Sequence, residues 1–142
     1  MRSLGCDKLF VYGTLLSRVT GRLGAGERRR LEREAVSLGE AHVKGFLRDL
    51  GDYPGLVVPG ETRDIVYGEV LELRNPVETL AWLDVYEGVG SVKASPADEY
   101  RRQILYVNLA SGGNCEAWSY VLRQSIDGSP RVAGGRWRDR RA

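Results

Sequence analysis

Leu9-Phe10-Val11-Tyr12-Gly13-Thr14-Leu15-Leu16 is the stretch around which the rest of the chain is organised. It opens as an apolar strand, from Lys8 to Val11, and breaks at Gly13. A buried strand that ends in a glycine turn leaves backbone N–H groups without ladder partners, and such concave runs of amides suit an anionic or carbonyl oxygen. Taken alone, the pattern describes an ordinary first strand and turn just as well.

A second stretch gives the turn a partner. Asn75-Pro76-Val77-Glu78 is a helix start: Asn75 caps, Pro76 fits the first helical position, and Glu78 stands three residues after the cap. The helix runs on through Thr79 to Glu87 and meets Gly88, a natural C-terminal stop. Leu80, Leu83 and Glu87 fall at i, i+3 and i+7, on one face. An acid therefore stands where the periodicity asks for an apolar residue, at the end of the helix where the dipole disfavours negative charge. Burial and dipole both favour the protonated form, which makes Glu87 a candidate proton shuttle. The alternative is a frayed last turn with Glu87 in water.

Composition bounds what such a pair of stretches serves. The 142 residues fit one domain, 1–142, with 126–142 as a docked or partly flexible tail whose large anchor is Trp137. Apolar content of 42% and charged content of 28% argue against wholesale disorder. The net charge of +2 is too small to point to nucleic acid. No apolar run reaches membrane-spanning length, and the N-terminus lacks the apolar core of a signal peptide. Cys6 and Cys115, far apart in sequence and without metal-type spacing, read as free thiols in a reducing cytoplasm. His42 is the sole histidine. That excludes His-rich metal sites and, with no G-x-S-x-G segment, disfavours a Ser-His-Asp triad.

The remaining segments are read from punctuation and periodicity. Ser17 to Gly26 is a polar, glycine-rich loop whose spacing fits neither phosphate-binding fingerprint. Glu27 to Ala35 is a short helix in which Arg28, Arg29, Arg30 and Arg33 form a basic face, either solvated surface or an attractor of acidic substrates or phosphate. Val36 to Leu73 is strand-like, broken at Gly39, Gly45, Gly51 and Gly60, and the part around Ile65 to Leu73 is apolar enough to be buried on both faces. Tyr53-Pro54-Gly55 is a turn, followed by a short strand, Leu56-Val57-Val58; Tyr53 is either a rim aromatic or a ligand contact. Tyr100 to Leu109 and Cys115 to Leu122 form a hairpin about Ala110 to Asn114. On its second strand Trp118, Tyr120 and Leu122 share a face, and Tyr120 either fills core or offers its hydroxyl to a cavity.

Tyr12-Gly13-Thr14-Leu15, Tyr53-Pro54-Gly55, Leu83-Asp84-Val85-Tyr86-Glu87-Gly88, Tyr100-Arg101-Arg102, Ala117-Trp118-Ser119-Tyr120 and Gly135-Arg136-Trp137 follow one another in this order. The ordered set resembles the γ-glutamylcyclotransferase-like family, which includes γ-glutamylamine cyclotransferases and AIG2-like proteins, over nearly the whole chain. The ChaC-type glutathione-cleaving enzymes, which carry serine where this chain has Thr14, match less well, and Ser17 to Arg33 departs most from the family pattern. The resemblance implies an α+β fold, a small mixed β-barrel flanked by helices, with a cavity at one end. It implies substrate binding by Tyr12, Gly13, Thr14 and Leu15, with Tyr53 and Tyr120 as further candidates, and acid/base work by Glu87. The implied reaction converts a small-molecule γ-glutamyl amine or amino acid to 5-oxoproline and free amine, without metal or organic cofactor, nucleic acid or membrane. Two rivals stand beside it: a lyase or hydrolase of another small amide, and a non-catalytic module in which Arg28 to Arg33 and Arg131 to Arg141 bind a partner.

Overall fold

The computed structural model describes residues 6–13, 15–16, 24–51, 53–59, 64–89, 100–123 and 129–137. In chain order the elements are β1 (Lys8–Val11), α1 (Ala25–Glu34), β2 (Ala35–Lys44), β3 (Phe46–Asp49), β4 (Pro54–Val57), β5 (Ile65–Leu73), α2 (Pro76–Glu87), β6 (Tyr100–Leu109) and β7 (Asn114–Leu122). A short 3-10 turn follows at Ala133–Gly135.

The strands form one sheet in the order β1-β5-β2-β6-β7-β4-β3, and β1 returns to pair with β7. That pairing closes β1, β5, β2, β6 and β7 into a five-stranded barrel, the mixed barrel with two helices that the family resemblance implies. β1 is antiparallel to β5, with Leu9 opposite Leu71, and parallel to β7, with Leu9 opposite Trp118. The β3–β4 hairpin hangs on the barrel through a parallel contact between Leu56 and Val121.

Alternation along β1 explains why only four residues suffice to bridge the barrel. Phe10, with Tyr12 just beyond, joins the barrel interior beside Val66, Val70, Val107 and Val121. Leu9 and Val11 face outward into a second apolar layer with Leu31 of α1 and Leu80 and Leu83 of α2. Both faces of β1 are thereby dry. Gly68 on β5 makes room for this: a Cβ there would lie 2.2 Å from the Val11 carbonyl oxygen and 2.7 Å from the Phe10 ring.

The helices are fastened to each other through Glu34. Its carboxylate accepts from Thr79 Oγ1 at 2.6 Å, Trp82 Nε1 at 3.0 Å and Arg30 Nε at 2.8 Å. Burial works to raise its pKa, but these three donors outweigh it and hold the group down at about 2. Arg30 also stacks on Trp82, 4.4 Å from the ring centroid.

Several local readings change. The polar segment read as loop to Gly26 ends earlier, because α1 begins at Ala25; residues 17–23 lie outside the described part. Arg28 is buried rather than solvated, and Arg29, Arg30 and Arg33 carry the exposed part of the basic face. Pro54 and Gly55 are not a turn but the first half of β4, opposite Asp49 and Arg48. The reversal sits one step earlier, where Leu50 N–H donates to the Tyr53 carbonyl at 3.0 Å. Trp137 is 3% exposed in the barrel interior. Among the described residues no helix is long and apolar enough to cross a membrane.

Candidate active site

A cavity of about 290 Å³ opens at one end of the barrel, near the lower limit of the size usual for small-molecule sites. Phe10, Val11, Tyr12, Gly13 and Leu15 supply one wall, Tyr53 and Pro54 a second, Tyr86 and Glu87 a third, and Tyr100 of β6 and Tyr120 of β7 complete the lining. The end of β1 and the end of α2 therefore meet across one hollow. Of the residues singled out from sequence, Tyr12, Gly13, Leu15, Tyr53, Tyr120 and Glu87 come together here; Thr14 lies outside the described residues.

Each wall has a local cause. Leu16 N–H donates to the Gly13 carbonyl at 3.0 Å, closing the turn that β1 runs into. Glycine is required at 13 by proximity: a Cβ would stand 2.8 Å from Pro54 Cγ and 2.9 Å from Cδ. The buried Tyr12 hydroxyl donates to the Tyr120 carbonyl at 2.5 Å and accepts from Leu56 N–H at 3.2 Å. One phenol thus ties β1, β4 and β7 together, and its only proton is committed to the fold. What Tyr12 offers the cavity is its ring. Tyr100 Oη donates to the Pro54 carbonyl at 2.8 Å, securing the second wall.

Glu87 is the last residue of α2, and the helix end does not fray. Gly88, at φ 74°, turns the chain into the left-handed region, and Gly88 N–H and Val89 N–H close on the carbonyls of Val85 and Asp84 at 3.2 and 2.8 Å. Leu80 and Leu83 anchor the same face, so Glu87 is carried half-buried to the cavity rather than out to water. Among the described lining residues it is the single charged side chain.

Sequence reasoning passed over Asp84 and Arg102. Asp84 Oδ1 accepts the Tyr120 hydroxyl at 2.6 Å and Arg102 Nε at 2.9 Å, while Oδ2 accepts Arg102 Nη2 at 3.3 Å. The guanidinium lies 4.3 Å from the Trp118 ring centroid. Burial, then the hydrogen bond to Asp84, pushes the Tyr120 phenol far above its usual pKa, and the nearby Glu87 adds to the shift. Tyr120 accordingly stays protonated with its proton pinned on Asp84, leaving oxygen lone pairs as its free hydrogen-bonding capacity. Asp84 had a signal: it stands at i−3 from Glu87 and i+4 from Leu80, on the helix face already judged buried. Arg102, Tyr100 and Tyr86 had none beyond standing within the motifs of the family resemblance.

A closed small barrel with a carboxylate and a glycine turn facing across an aromatic hollow defines an α+β class of small-molecule site. The family model for γ-glutamyl cyclotransferase, AIG2-like proteins matches residues 9–139, and the chain belongs to that family. A γ-glutamylcyclotransferase family protein, YtfP, of Citrobacter rodentium is 34% identical over 134 residues, 94% of this chain and 96% of the relative. Among solved structures, an AIG2-like protein of Mus musculus superposes with a TM-score of 0.65 at 21% identity, over 89% of this chain and 85% of that one. YkqA of Bacillus subtilis gives 0.63 at 23% identity, over 92% of this chain but 39% of the longer YkqA chain. At such identities these two show the fold alone.

Proposed function

We propose that this protein is a γ-glutamyl cyclotransferase, releasing an amine from a γ-glutamyl amide or amino acid and leaving 5-oxoproline. The observation that carries the reading is the shared hollow: Glu87 and the turn at Gly13 line one cavity although they lie on separate elements. This chemistry needs no protein nucleophile. The substrate's α-amine attacks its own δ-carbonyl carbon, a C–N bond forms, and the bond to the leaving nitrogen breaks. The protein bends the substrate and moves protons, and holding amine and carbonyl together is a proximity effect.

In this reading Glu87 as carboxylate takes a proton from the α-ammonium and returns one to the departing amine. The backbone amides of the turn from Gly13 to Leu15, with Thr14 between them, grip the substrate carboxylate or the developing oxyanion. The Tyr120 oxygen, its proton held by Asp84, accepts from the substrate ammonium. Tyr12 and Tyr53 wall the bent γ-glutamyl chain. The site works without a metal or organic cofactor.

The rival in which basic segments bind a partner is less well supported. Arg28 is buried, Arg131 pairs with Asp64 at 3.3 Å, and Arg136 pairs with Glu40 at 2.5 Å. Arg138, Arg140 and Arg141 lie outside the described residues.

The test is incubation with a panel of γ-glutamyl amines and amino acids, assayed for 5-oxoproline by mass spectrometry, beside Glu87→Gln. The variant keeps its shape and melting temperature and loses on the order of a hundredfold or more in turnover. Formation of 5-oxoproline at the wild-type rate by Glu87→Gln refutes the role of Glu87. A free amine with open-chain glutamate as product would instead favour the hydrolase reading.

A further inference from the structure

Cys6 and Cys115 lie near opposite ends of the sequence, but barrel closure brings them to the same place. β1 and β7 run parallel with Leu9 opposite Trp118, and three residues back along each strand stand Cys6 and Cys115. β1 stays against β5 down to Asp7, whose carbonyl accepts from Leu73 N–H at 2.7 Å. At Cys6 the thiol folds back along the chain, its Sγ 3.8 Å from the Lys8 carbonyl oxygen.

Phe10 and Tyr12 on the first chain segment, and Ala117 and Val121 on β7, belong to the barrel interior. Cys115 packs on that interior cluster. Cys6 Sγ reaches across to β7, 3.6 Å from the carbonyl oxygen of Glu116, the residue after Cys115. The two thiols also sense each other: burial pushes the Cys115 thiol up, Lys8 beside it pulls the other way, and Cys6 pushes it up again. A disulfide spans a Cα separation of about 4.4 to 6.8 Å, and the β1–β7 seam beside these thiols is about 4.8 Å wide. Both residues are half-buried, within reach of small oxidants.

We infer that Cys6 and Cys115 are a modification site, a thiol pair that closes reversibly into a disulfide stapling β1 to β7. The oxidant class is a small-molecule disulfide such as oxidised glutathione. One cysteine thiolate attacks a sulfur of that disulfide, breaking its S–S bond and releasing one thiolate. The second cysteine thiolate then attacks the protein-bound sulfur, forming the intramolecular S–S bond and releasing the other. Two protein thiols are oxidised, one small disulfide is reduced to two thiols, and the two protons pass from protein to released thiolates. The staple closes a loop on the order of 100 residues, a length at which cross-linking is strongly stabilising. It also lies at the far end of the seam whose near end is the Tyr12–Tyr120 hydrogen bond, so it stiffens the joint between two cavity walls.

The experiment equilibrates the full chain in glutathione buffers of rising oxidation, traps free thiols with an alkylating agent, and reads intact mass and thermal midpoint. The expected product is a monomer carrying neither alkyl groups nor glutathione, a Cys6–Cys115 cross-linked peptide after digestion, and a midpoint raised by on the order of 10 °C. Reduction reverses the shift. Cys6→Ser and Cys115→Ser, each folded by circular dichroism, both abolish it. Two alkylated thiols in the most oxidising buffer, oxidation that stops at glutathione adducts or intermolecular dimers, or a shift that survives in a single-thiol variant would each overturn the inference.

Discussion

Replacing Tyr120 by phenylalanine removes one hydroxyl and leaves the ring in place, and the structure says what that hydroxyl does. It donates to Asp84 at 2.6 Å, and Asp84 is at the same time gripped by Arg102 at 2.9 and 3.3 Å. The carboxylate and guanidinium are about a fifth and a quarter exposed, at 21% and 25%, so the trio is sheltered but not dry. A hydrogen bond to a charged acceptor in such a setting contributes about 2 kcal/mol. For a chain of this length that corresponds to a fall of about 8 °C in melting temperature. In an Asp84→Ala background the same change has no carboxylate to lose, and Tyr120→Phe should then cost no more than about 0.5 kcal/mol. The difference, about 1.5 kcal/mol, is the coupling energy of the pair and is read from a thermal or urea double-mutant cycle. The kinetic arm follows from the same geometry. In the proposed function the Tyr120 lone pairs on the cavity take the substrate ammonium, so Tyr120→Phe should raise KM for a γ-glutamyl substrate more than it lowers kcat. Equal costs of Tyr120→Phe in both backgrounds would show that the hydroxyl does not depend on Asp84 and would refute the reasoning.

Other expectations concern the helices and the tail. Glu34 has a folded pKa of about 2 against an ordinary 4.5, so its contribution is complete above the unfolded value and is lost as pH falls from about 5 to about 2. Melting temperature measured down that range should drop more steeply for the wild type than for Glu34→Gln, which is weaker at neutral pH but flatter in acid. Trp137→Ala empties a buried site in the barrel and should cost about 3 to 5 kcal/mol, seen as a lower urea midpoint with no new product chemistry.

What was legible in the sequence was whatever short-range chemistry decides. Asn75 and Gly88 bracket α2 because capping is local, and Lys8 to Val11, Tyr100 to Leu109 and the turn about Ala110 to Asn114 announce strands and a hairpin through neighbours alone. Pro54-Gly55 misled for the converse reason. Its turn chemistry is genuine, but β4 is held by β3 on one side and by Val121 on the other, and that distant partner wins. Arg28 was assigned to a solvated face because its neighbours are arginines, whereas the tertiary layer beside Leu31 buries it. Glu87 was found because an acid broke an apolar period; Asp84 broke the same period and was overlooked. Arg102 reaches the site through β6, whose placement beside α2 no local pattern encodes. Closure of the barrel came from family resemblance, since no segment of four residues advertises that it pairs on two sides.

That double pairing of β1 sets the order in which the molecule can be assembled. Its first partner, β5, follows after most of the first half of the chain, and its second, β7, only near the end. During synthesis the first strand waits on the ribosome surface while α1, β2 and the β3–β4 hairpin emerge, and loop closure across such distances is slow. The hollow between Gly13 and Glu87 therefore comes into being last, once the final hairpin has seated, and no nascent fragment lacking β7 carries a finished cavity.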